Sequence, residues 1–323
     1  MKVLANDGIS AEGKSKLEEK GFTVVTENVK QEDLVNAINN EGYDVLLVRS
    51  ATTARKELID ACPNLKFIGR GGVGMDNIDV EYAKEKGLTV ENTPGASSQS
   101  VAELVFAHLF SISRSLYDSN RQMPIIGKDN FKDLKKRYGK GIELRDKTLG
   151  IIGIGRIGQS VASYALGCGM KVIAHDPFID NVTIELKING NSKVQVGLST
   201  ISMDDLLKQS DFITLHVPKQ ADGSAVIGKA QFDLMKDNVC IVNAARGGVI
   251  EENDLIEALD SGKVLHAALD VFENEPTPSE AVLNHRKISL TPHVGAATGE
   301  AQARIGIELA DKIIQFSKSY ATA

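Results

Sequence analysis

Short apolar segments alternate with helical patterns along most of this chain. KVLAN (2–6), DVLLVRS (44–50) and KFIGR (66–70) are nearly continuous apolar runs, and segments with helical patterns separate them. Strands that are apolar on both faces are typical of parallel sheets covered by helices on each side. The alternation therefore predicts an α/β protein.

The alternation is interrupted once and then starts again. Ser100 and Glu103 form an S-x-x-E capping pattern, which predicts a buried helix over 99–117. A polar, basic segment (118–147) follows, and we interpret its most basic run, KDLKKRYGKG (132–141), as a solvated connector. A second series of strand patterns and a final helical pattern come after it: TLGIIG (148–153), KVIAHD (171–176), DFITLHV (211–217), NVCIVNAA (238–245), LHAALDV (265–271), KISLTPH (287–293) and the helix 299–317. We expect two doubly wound parallel-sheet domains, which the length of 323 residues also favours.

One stretch of the second series departs from this pattern. VTIELKI (182–188) and KVQVGL (193–198) alternate apolar and polar residues around an Asn-Gly pair. Alternation on both sides of such a pair is typical of an antiparallel hairpin. The sequence predicts a β-hairpin over 182–198.

Composition narrows the classes of function. With 37 basic and 43 acidic residues the net charge is -6, so no basic face for nucleic acid is expected. The three cysteines form no C-x-x-C pair, which argues against a metal site and fits reduced thiols in the cytoplasm. The first residues lack the apolar region of a signal peptide, and no stretch approaches the ~18 apolar residues of a membrane span, so no membrane partner is expected.

A glycine motif opens the second series. Gly153, Gly155 and Gly158 form G-x-G-x-x-G directly after TLGII, and Asp176 ends the next strand pattern. Such glycines permit a tight turn and close approach of a diphosphate to a helix start, and the acid accepts the ribose hydroxyls. The charge of Asp176 favours NAD over NADP. The alternative to a dinucleotide site is a glycine-rich turn that binds no ligand. The predicted dinucleotide contacts here are Gly153, Gly155, Arg156, Ile157, Gly158, Asp176 and Pro177.

Two further segments follow strands of the same half, HVPKQ (216–220) and NAARGG (243–248). Ligands of open parallel sheets bind beyond the carboxyl ends of the strands. We therefore expect cofactor contacts at His216, Val217, Pro218, Ala244, Ala245 and Arg246, although His216 could equally be a structural histidine. The guanidinium of Arg246 could bind a carboxylate, or it could form an interdomain salt bridge.

The last two strand ends carry an acid–base candidate. Asp270 and Glu275 lie in DVFENEP, and His293 lies in TPHVGAAT with Gly295 and Ala296. A histidine can deliver the proton that hydride transfer to a carbonyl requires, and a neighbouring carboxylate would stabilise its charged form. From these residues alone, Glu273 and Glu275 could be solvated loop charges and His293 a loop histidine before a helix. Asp270, His293, Gly295 and Ala296 are also predicted to contact the cofactor.

GIGRIG with Asp176, NAARGG, DVFENEP and TPHVGAAT together resemble the D-isomer-specific 2-hydroxyacid dehydrogenase family over essentially the whole chain. The resemblance implies that Arg246, Glu275 and His293 are catalytic and that NAD is the cofactor. It implies a flavodoxin-like substrate domain of residues 1–97 and 292–323, and a Rossmann domain of residues 98–291. It also implies a homodimer, with the long helix and the connector at its interface, and a 2-hydroxy or 2-keto acid substrate bound between the domains.

Three N-terminal stretches are most similar to the phosphoglycerate dehydrogenases of this family: VRSAT (48–52), GRGGVGMDNID (69–79) and NTPGASSQSVAE (92–103). They imply oxidation of 3-phospho-D-glycerate to 3-phosphohydroxypyruvate in serine synthesis. The expected substrate contacts are Arg49, Ser50, Arg70, Gly72, Val73, Gly74 and Asn77, with Arg246 and His293. The alternatives are a hydroxypyruvate/glyoxylate reductase, a D-lactate dehydrogenase, or an NAD(H)-sensing protein similar to corepressors. Many phosphoglycerate dehydrogenases carry a C-terminal regulatory domain, and no such domain follows the last helical pattern, so serine feedback through it is not expected.

Overall fold

A computed structural model describes residues 1–190 and 192–321. The chain divides into two compact units, Met1–Ser100 with Ala296–Ala323, and Val101–Gly295. Each unit contains a sheet with its own buried apolar side chains.

The first series of elements alternates strands and helices, as the sequence predicts. Its members are β1 (Lys2–Ala5), α1 (Ala11–Glu18), β2 (Thr23–Val25), a 3₁₀ turn (Gln31–Asp33), α2 (Leu34–Glu41), β3 (Val45–Val48), α3 (Lys56–Ala61), β4 (Phe67–Arg70), α4 (Val80–Glu85) and β5 (Thr89–Asn92).

The remaining elements begin with two long helices. They are α5 (Ser98–Ser113), α6 (Leu116–Arg137), β6 (Thr148–Ile152), α7 (Arg156–Gly167), β7 (Lys171–His175), β8 (Asn181–Ile188), β9 (Ser192–Ser199), α8 (Met203–Gln209), β10 (Phe212–Leu215), α9 (Lys229–Leu234), β11 (Val239–Asn243), α10 (Glu252–Ser261), β12 (Val264–Leu269), α11 (Glu280–Leu283), β13 (Ile288–Leu290) and α12 (Gly299–Ala321).

The sheet of the first unit is entirely parallel, in the order β2-β1-β3-β4-β5. The chain moves from β1 to β2 on one side and to β3 on the other. This is the flavodoxin-like order, and ligands of such sheets bind where the direction reverses, beyond the carboxyl ends of β1 and β3. The predicted flavodoxin-like fold is confirmed.

Helix α12 completes the first unit. Ile305, Leu309 and Ile313 are at most 4% exposed, as expected from their helical spacing. Burial of each such side chain contributes about 1.5–3 kcal/mol to the free energy of folding. A side chain at Gly13 of α1 would collide with the backbone of Gly306, so this position must be glycine for the two helices to pack so closely.

The sheet of the second unit is also parallel, in the order β13-β12-β11-β10-β6-β7. Its direction reverses between β6 and β10, so the sequence stretches after Ile152 and Leu215 meet at the switch point of the sheet. This is the place where a doubly wound sheet binds a dinucleotide. The predicted Rossmann fold is confirmed.

The predicted hairpin is confirmed as well. Strands β8 and β9 pair antiparallel from Asn181–Ser199 to Ile188–Ser192, while Asn191 lies outside the described residues. Ile184 is buried, and Val182, Leu186 and Leu198 pack against the same apolar cluster as α7. The hairpin covers α7 with one apolar face, which explains its alternating sequence.

The centre of the chain differs in part from the prediction. The run 132–141, interpreted as a solvated connector, is helical as far as Arg137, where α6 ends, and α6 also contains Pro124. The helix predicted over 99–117 is confirmed as α5, but the helical run is interrupted at Ser115, whose φ is 49°. Charged and polar residues such as Lys, Arg and Gln favour helix, so polarity alone does not indicate a loop. The capping box is also wrong: α5 begins at Ser98, and the Ser100 hydroxyl donates to Thr298 Oγ1 at 3.1 Å.

Among the described residues, no helix has both the length and the hydropathy that crossing a membrane would require.

Candidate active site

The glycine loop joins β6 to α7, and its three glycines serve different purposes. Gly153 has a φ of 92°, and a side chain there would collide with the carbonyl of His216. A side chain at Gly158 would collide with the carbonyl oxygen of Gly153. A side chain at Gly155 would meet nothing within 4 Å. Packing therefore requires the first and third glycines, whereas the second borders open space at the start of α7.

The start of α7 fits a dinucleotide diphosphate. Gly155 is the N-cap and provides no side-chain acceptor, so the first amides of the helix, at Arg156 and Ile157, lie beside that open space. Unsatisfied amides at a helix start, together with the helix dipole, favour an anion. Asp176 lies next to the same loop: its Oδ2 accepts from Ile154 N at 3.0 Å and its Oδ1 from Phe178 N at 2.9 Å. Pro177 follows it and is exposed.

His216 lies directly beyond β10, beside Gly153. Its Nε2 is 3.1 Å from Thr214 Oγ1, and its Nδ1 is buried without a partner in the described part of the chain. Burial lowers the pKa of His216 to about 3, so the imidazole is neutral near pH 7. The structure favours a neutral histidine over an acid–base at this position. The Val217 side chain lies against Gly153, and Pro218 is exposed.

The NAARGG segment forms a tight loop after β11. Asn243 organises it, since its Oδ1 accepts from Ala245 N at 3.0 Å and its Nδ2 donates to Arg246 O at 2.9 Å. The half-buried Arg246 donates from Nη1 to Ala245 O at 2.6 Å. Ala244 is half-buried and Ala245 is buried. Gly247 packs directly against the carbonyl of Phe272, where any side chain would collide.

Glu275 and His293 form a direct pair. Glu275 Oε2 lies 2.7 Å from His293 Nδ1, and Glu275 Oε1 accepts from Phe272 N at 3.0 Å. The side chains are 44% exposed for His293 and 35% for Glu275, so a small molecule can reach them. Because Nδ1 is engaged by the carboxylate, Nε2 is the atom that can exchange a proton with a substrate. Gly247, Phe272, Glu275 and His293 thus connect the loops after β11, β12 and β13 through successive contacts.

Asp270 holds the loop that carries His293. This carboxylate is 1% exposed, and it accepts from Thr291 Oγ1 at 2.6 Å, Val294 N at 2.8 Å and Gly295 N at 2.9 Å. His293 itself has a φ of 53°, which is uncommon for a residue other than glycine and is often found at functional sites. The sequence suggested a cofactor contact for Asp270; in the structure its two oxygens bind the 291–295 loop.

A second pair of glutamates braces the loop before Glu275. Glu273 Oε1 accepts from Glu252 N at 3.0 Å, and Glu252 Oε1 accepts from Glu273 N at 2.9 Å. Glu252 is buried, and this burial raises its pKa. The interpretation of Glu273 as a solvated loop charge is wrong. Glu252 was missed because a glutamate at a helix start looks like an ordinary favourable dipole interaction in the sequence.

In the first unit, Arg49 lies at the switch point of the sheet. Its amide donates to Asp7 Oδ2 at 2.6 Å, and its carbonyl accepts from Asn77 Nδ2 at 2.8 Å. Among residues 1–190 and 192–321, its guanidinium makes no hydrogen bond or ion pair. Asn77 also donates to Thr52 O at 2.6 Å, so both hydrogens of its amide hold the protein loop. Ser50 is exposed.

The RGGVG loop follows β4. Arg70 Nη1 donates to Gly71 O at 3.1 Å, and Gly72, with a φ of 143°, donates from its amide to Thr93 Oγ1 at 2.8 Å. Val73 is 37% exposed, and Gly74 is half-buried. The Gly72 amide, a candidate for binding an anion, is therefore used within the protein. Ala296 belongs to this unit and accepts from Gln302 at its carbonyl.

No group of three or more His, Cys, Asp or Glu side chains within the described residues is arranged to hold a metal ion.

The chain is similar in sequence and in structure to known proteins. Residues 106–295 match the sequence family described as D-isomer specific 2-hydroxyacid dehydrogenase, NAD binding domain. The chain is 43% identical to a hydroxypyruvate reductase of Thermotoga maritima, over 97% of each chain. It is 40% identical to a D-3-phosphoglycerate dehydrogenase of Archaeoglobus fulgidus over 98% of its own length, and it spans 58% of that protein. A crystal structure of a glyoxylate reductase from Paecilomyes thermophila superposes with a TM-score of 0.80 at 30% identity, covering 97% of this chain and 93% of that one.

The match covers more than half of the chain, and the Thermotoga relative is matched over nearly its whole length. The chain therefore belongs to the D-isomer-specific 2-hydroxyacid dehydrogenase family, whose second domain binds NAD, as its motifs predict.

Proposed function

We propose that this protein catalyses the NAD-dependent oxidation of 3-phospho-D-glycerate to 3-phosphohydroxypyruvate, and so acts in serine synthesis. The Glu275–His293 pair is the observation on which the redox chemistry depends, because it provides an oriented proton acceptor at 2.7 Å from its carboxylate partner. The choice of substrate is supported by Arg49, whose guanidinium has no hydrogen bond or ion pair within the described part of the chain, and by several similar proteins that carry the name D-3-phosphoglycerate dehydrogenase.

His293 acts as the base in oxidation. Its Nε2 accepts the proton of the C2 hydroxyl while the C2 hydrogen leaves as a hydride with both electrons of its bond, so the carbon becomes a carbonyl. Bound NAD supplies the acceptor for this hydride. Glu275 keeps the Nδ1 proton in place and stabilises the imidazolium that forms. In the opposite direction His293 donates the proton to the carbonyl oxygen.

Arg246 orients the substrate in this proposal. Its guanidinium can bind a carboxylate through two parallel hydrogen bonds and can polarise the neighbouring carbonyl. The packing of Gly247 against Phe272 fixes the Arg246 loop relative to the segment that carries Glu275. The cofactor residues are those at the start of α7, with Asp176 for the ribose, the strand-end positions His216 to Pro218, Ala244 and Ala245, and Gly295 with Ala296. Asp270 supports the 291–295 loop.

The first unit is the substrate-binding domain in this proposal, and Arg49 is its phosphate ligand. Arg49 directly follows β3, at the switch point where ligands of such sheets bind. Ser50 and the exposed part of the RGGVG loop would complete the substrate contacts. Asn77 contributes by holding the Arg49–Thr52 backbone.

A second candidate substrate is hydroxypyruvate. The Thermotoga relative with this specificity in its name is as similar as the phosphoglycerate dehydrogenases, and the match covers 97% of its length. The same Glu275–His293 pair serves both reactions, so it does not discriminate between them. The charge of the group on C3 discriminates between the two substrates, since only the phosphorylated acid needs a cation such as Arg49.

The test is an NADH absorbance assay with a panel of acids in both directions. The panel contains 3-phosphoglycerate, 3-phosphohydroxypyruvate, D-glycerate, hydroxypyruvate, glyoxylate, D-lactate and pyruvate. The proposal predicts the highest kcat/KM for the phosphorylated pair. A higher kcat/KM for hydroxypyruvate would establish the second candidate, and no turnover of any acid, together with tight NADH binding, would favour a sensing protein over an enzyme.

We also propose a homodimer in the cytoplasm. Helices α5 and α6 expose large apolar side chains, which is uncommon on a monomer unless they bind a partner. These residues are Phe110, Leu116, Met123, Ile125 and Phe131, with exposed fractions between 42% and 75%. All three cysteines are free thiols, as is typical of proteins in reducing compartments. Sedimentation of the wild-type protein and of Ile125→Asp tests the dimer; an unchanged mass in the variant would contradict this interface.

A further inference from the structure

A buried histidine outside the proposed catalytic group lies behind the His293 loop. His108 is on α5 and is 3% exposed. Its Nδ1 lies 3.2 Å from Ser289 Oγ, and its Nε2 lies 3.0 Å from Thr291 Oγ1. An imidazole in a protein core usually needs both nitrogens satisfied, and here the two partners are hydroxyls of β13 and of the residue directly after it.

The hydrogen bonds that join His108, Thr291 and Asp270 have one consistent arrangement of donors and acceptors. Thr291 Oγ1 donates its hydrogen to the Asp270 carboxylate at 2.6 Å, so it must accept from His108. His108 therefore carries its hydrogen on Nε2, and its Nδ1 accepts from Ser289. Burial lowers the pKa of His108, although the nearby Asp270 opposes that shift, so the ring has a single N–H near pH 7.

The chain of hydrogen bonds leads to the loop that holds His293. Asp270 binds the amides of Val294 and Gly295, which follow His293 directly. The His293 amide donates to Thr291 O at 3.1 Å, and its φ of 53° needs support from its surroundings. A donor to Thr291 fixes the direction of the Thr291 hydroxyl and strengthens its bond to Asp270, because linked hydrogen bonds polarise one another.

We propose that His108 is a positioning residue for His293, acting through Thr291 and Asp270. The inference rests on the acid–base role of His293 in the proposed function. His108 touches neither substrate nor cofactor in this account. It determines how firmly the 291–295 loop holds the strained conformation that aims Nε2 of His293 at the reacting oxygen.

Two substitutions of His108 test the contacts of its two ring nitrogens separately. His108→Gln places an amide nitrogen near the position of Nε2 and can still donate to Thr291. His108→Asn reaches only the position of Nδ1, so it keeps the contact with Ser289 and loses the donor to Thr291. We expect kcat to fall about 10- to 100-fold in His108→Asn, as for a small misplacement of a catalytic group, and to recover most of this loss in His108→Gln.

Amide hydrogen exchange gives a readout that does not depend on turnover. The amides of Val294 and Gly295 should exchange faster in His108→Asn than in the wild type and at the wild-type rate in His108→Gln. The amide of Ile213 in β10 is the control, since general destabilisation would change its exchange as well. Equal behaviour of the two variants, or unchanged exchange and rate in His108→Asn, would overturn the proposal.

A Thr291→Val variant tests the same series of hydrogen bonds by removing the hydroxyl that His108 contacts. It should reproduce the effects of His108→Asn, and the double variant should show no further loss, because residues of one hydrogen-bond chain are not additive. If circular dichroism shows that His108→Asn does not fold, Thr291→Val against wild type provides the same comparison. If the wild type turns over none of the acids, the proposed function fails, whereas the exchange rates still decide whether His108 positions the loop.

Discussion

Glu275 holds His293 at one nitrogen and is itself held by the backbone. Its Oε2 lies 2.7 Å from His293 Nδ1, and its Oε1 accepts from Phe272 N at 3.0 Å. The imidazole therefore cannot rotate without losing a hydrogen bond to a carboxylate whose own position is fixed. This pair is the structural basis for assigning proton transfer to Nε2 of His293.

Replacing Glu275 should separate its two effects on His293, the orientation of the ring and the stabilisation of its charged form. Glu275→Ala removes the partner of Nδ1, and we expect kcat/KM to fall about 10- to 100-fold, which is the value of a hydrogen bond to a charged group. Glu275→Gln keeps an oxygen that can accept from Nδ1, so its loss should be smaller. Steady-state kinetics with the best acid of the panel measure the loss of kcat/KM in both variants. Glu280→Ala, an exposed glutamate in α11, is the control. A Glu275→Ala enzyme with wild-type kcat/KM would contradict the assigned role.

The charge of Asp176 should determine the choice of dinucleotide. Asp176→Asn keeps one acceptor oxygen and the shape of the side chain at the end of β7, but it removes the charge that repels a 2′-phosphate. We expect the ratio of kcat/KM for NAD to that for NADP to fall about tenfold or more, from the Coulomb energy of two nearby charges at a protein surface. Asp180→Asn, in the same loop, should leave the ratio unchanged. An unaltered ratio in Asp176→Asn would show that another group selects the cofactor.

Arg49 should distinguish phosphorylated from unphosphorylated acids. Arg49→Ala removes a guanidinium that has no partner among the residues that the structure describes, at the switch point of the first sheet. We expect kcat/KM for 3-phosphoglycerate to fall about 10- to 100-fold and kcat/KM for D-glycerate to change little, since only the former presents a phosphate. Arg55→Ala is the matched control, because Arg55 pairs with Asp79 at 2.9 Å. Equal losses for both acids would contradict the phosphate contact.

Glu252 should make the stability of the protein depend on pH. Burial, and next the charges of Glu273 and Glu251, raise the pKa of Glu252 above its ordinary 4.5. An acid with a raised pKa in the fold favours folding while it is protonated, and this contribution is lost as the pH rises above 4.5 through the raised value. Glu252→Gln keeps an acceptor for Glu273 N and cannot ionise.

The melting temperature of Glu252→Gln relative to wild type should therefore increase as the pH rises from about 4 towards 7. Differential scanning calorimetry across this range measures the change. Glu257→Gln, at an exposed position on the same helix, is the control for the loss of a glutamate. A Glu252→Gln difference that is independent of pH would contradict the assigned burial.

The sequence predicted those parts of the site that depend on short, ordered motifs. Gly153 and Gly158 are required by local packing, and Asp176 follows from the length of one β-α-β unit, so their places could be inferred from spacing. Glu275 and His293 come from different loops. Their contact follows from the parallel order β12–β13, which puts both loops at the same edge of the sheet, and from the family resemblance.

Other parts could not be inferred because no local pattern encodes them. Helix α6 has few buried positions, Gly127 and Leu134, so its polar sequence shows little amphipathic signal. The network of His108, Ser289, Thr291 and Asp270 joins residues up to 183 positions apart. A single buried histidine on an apolar helix gives no sign in the sequence of the hydroxyls that it will meet.

The kinetics of His293→Ala show whether His293 is the acid–base of the reaction. With the best acid of the panel and NAD, we expect kcat to fall about 10²- to 10⁴-fold, as when a general acid–base is removed, while the variant still binds NADH. His285→Ala, in which the lost histidine faces Asp260, should retain wild-type kcat. Turnover of His293→Ala at the wild-type rate would show that His293 does not transfer the proton.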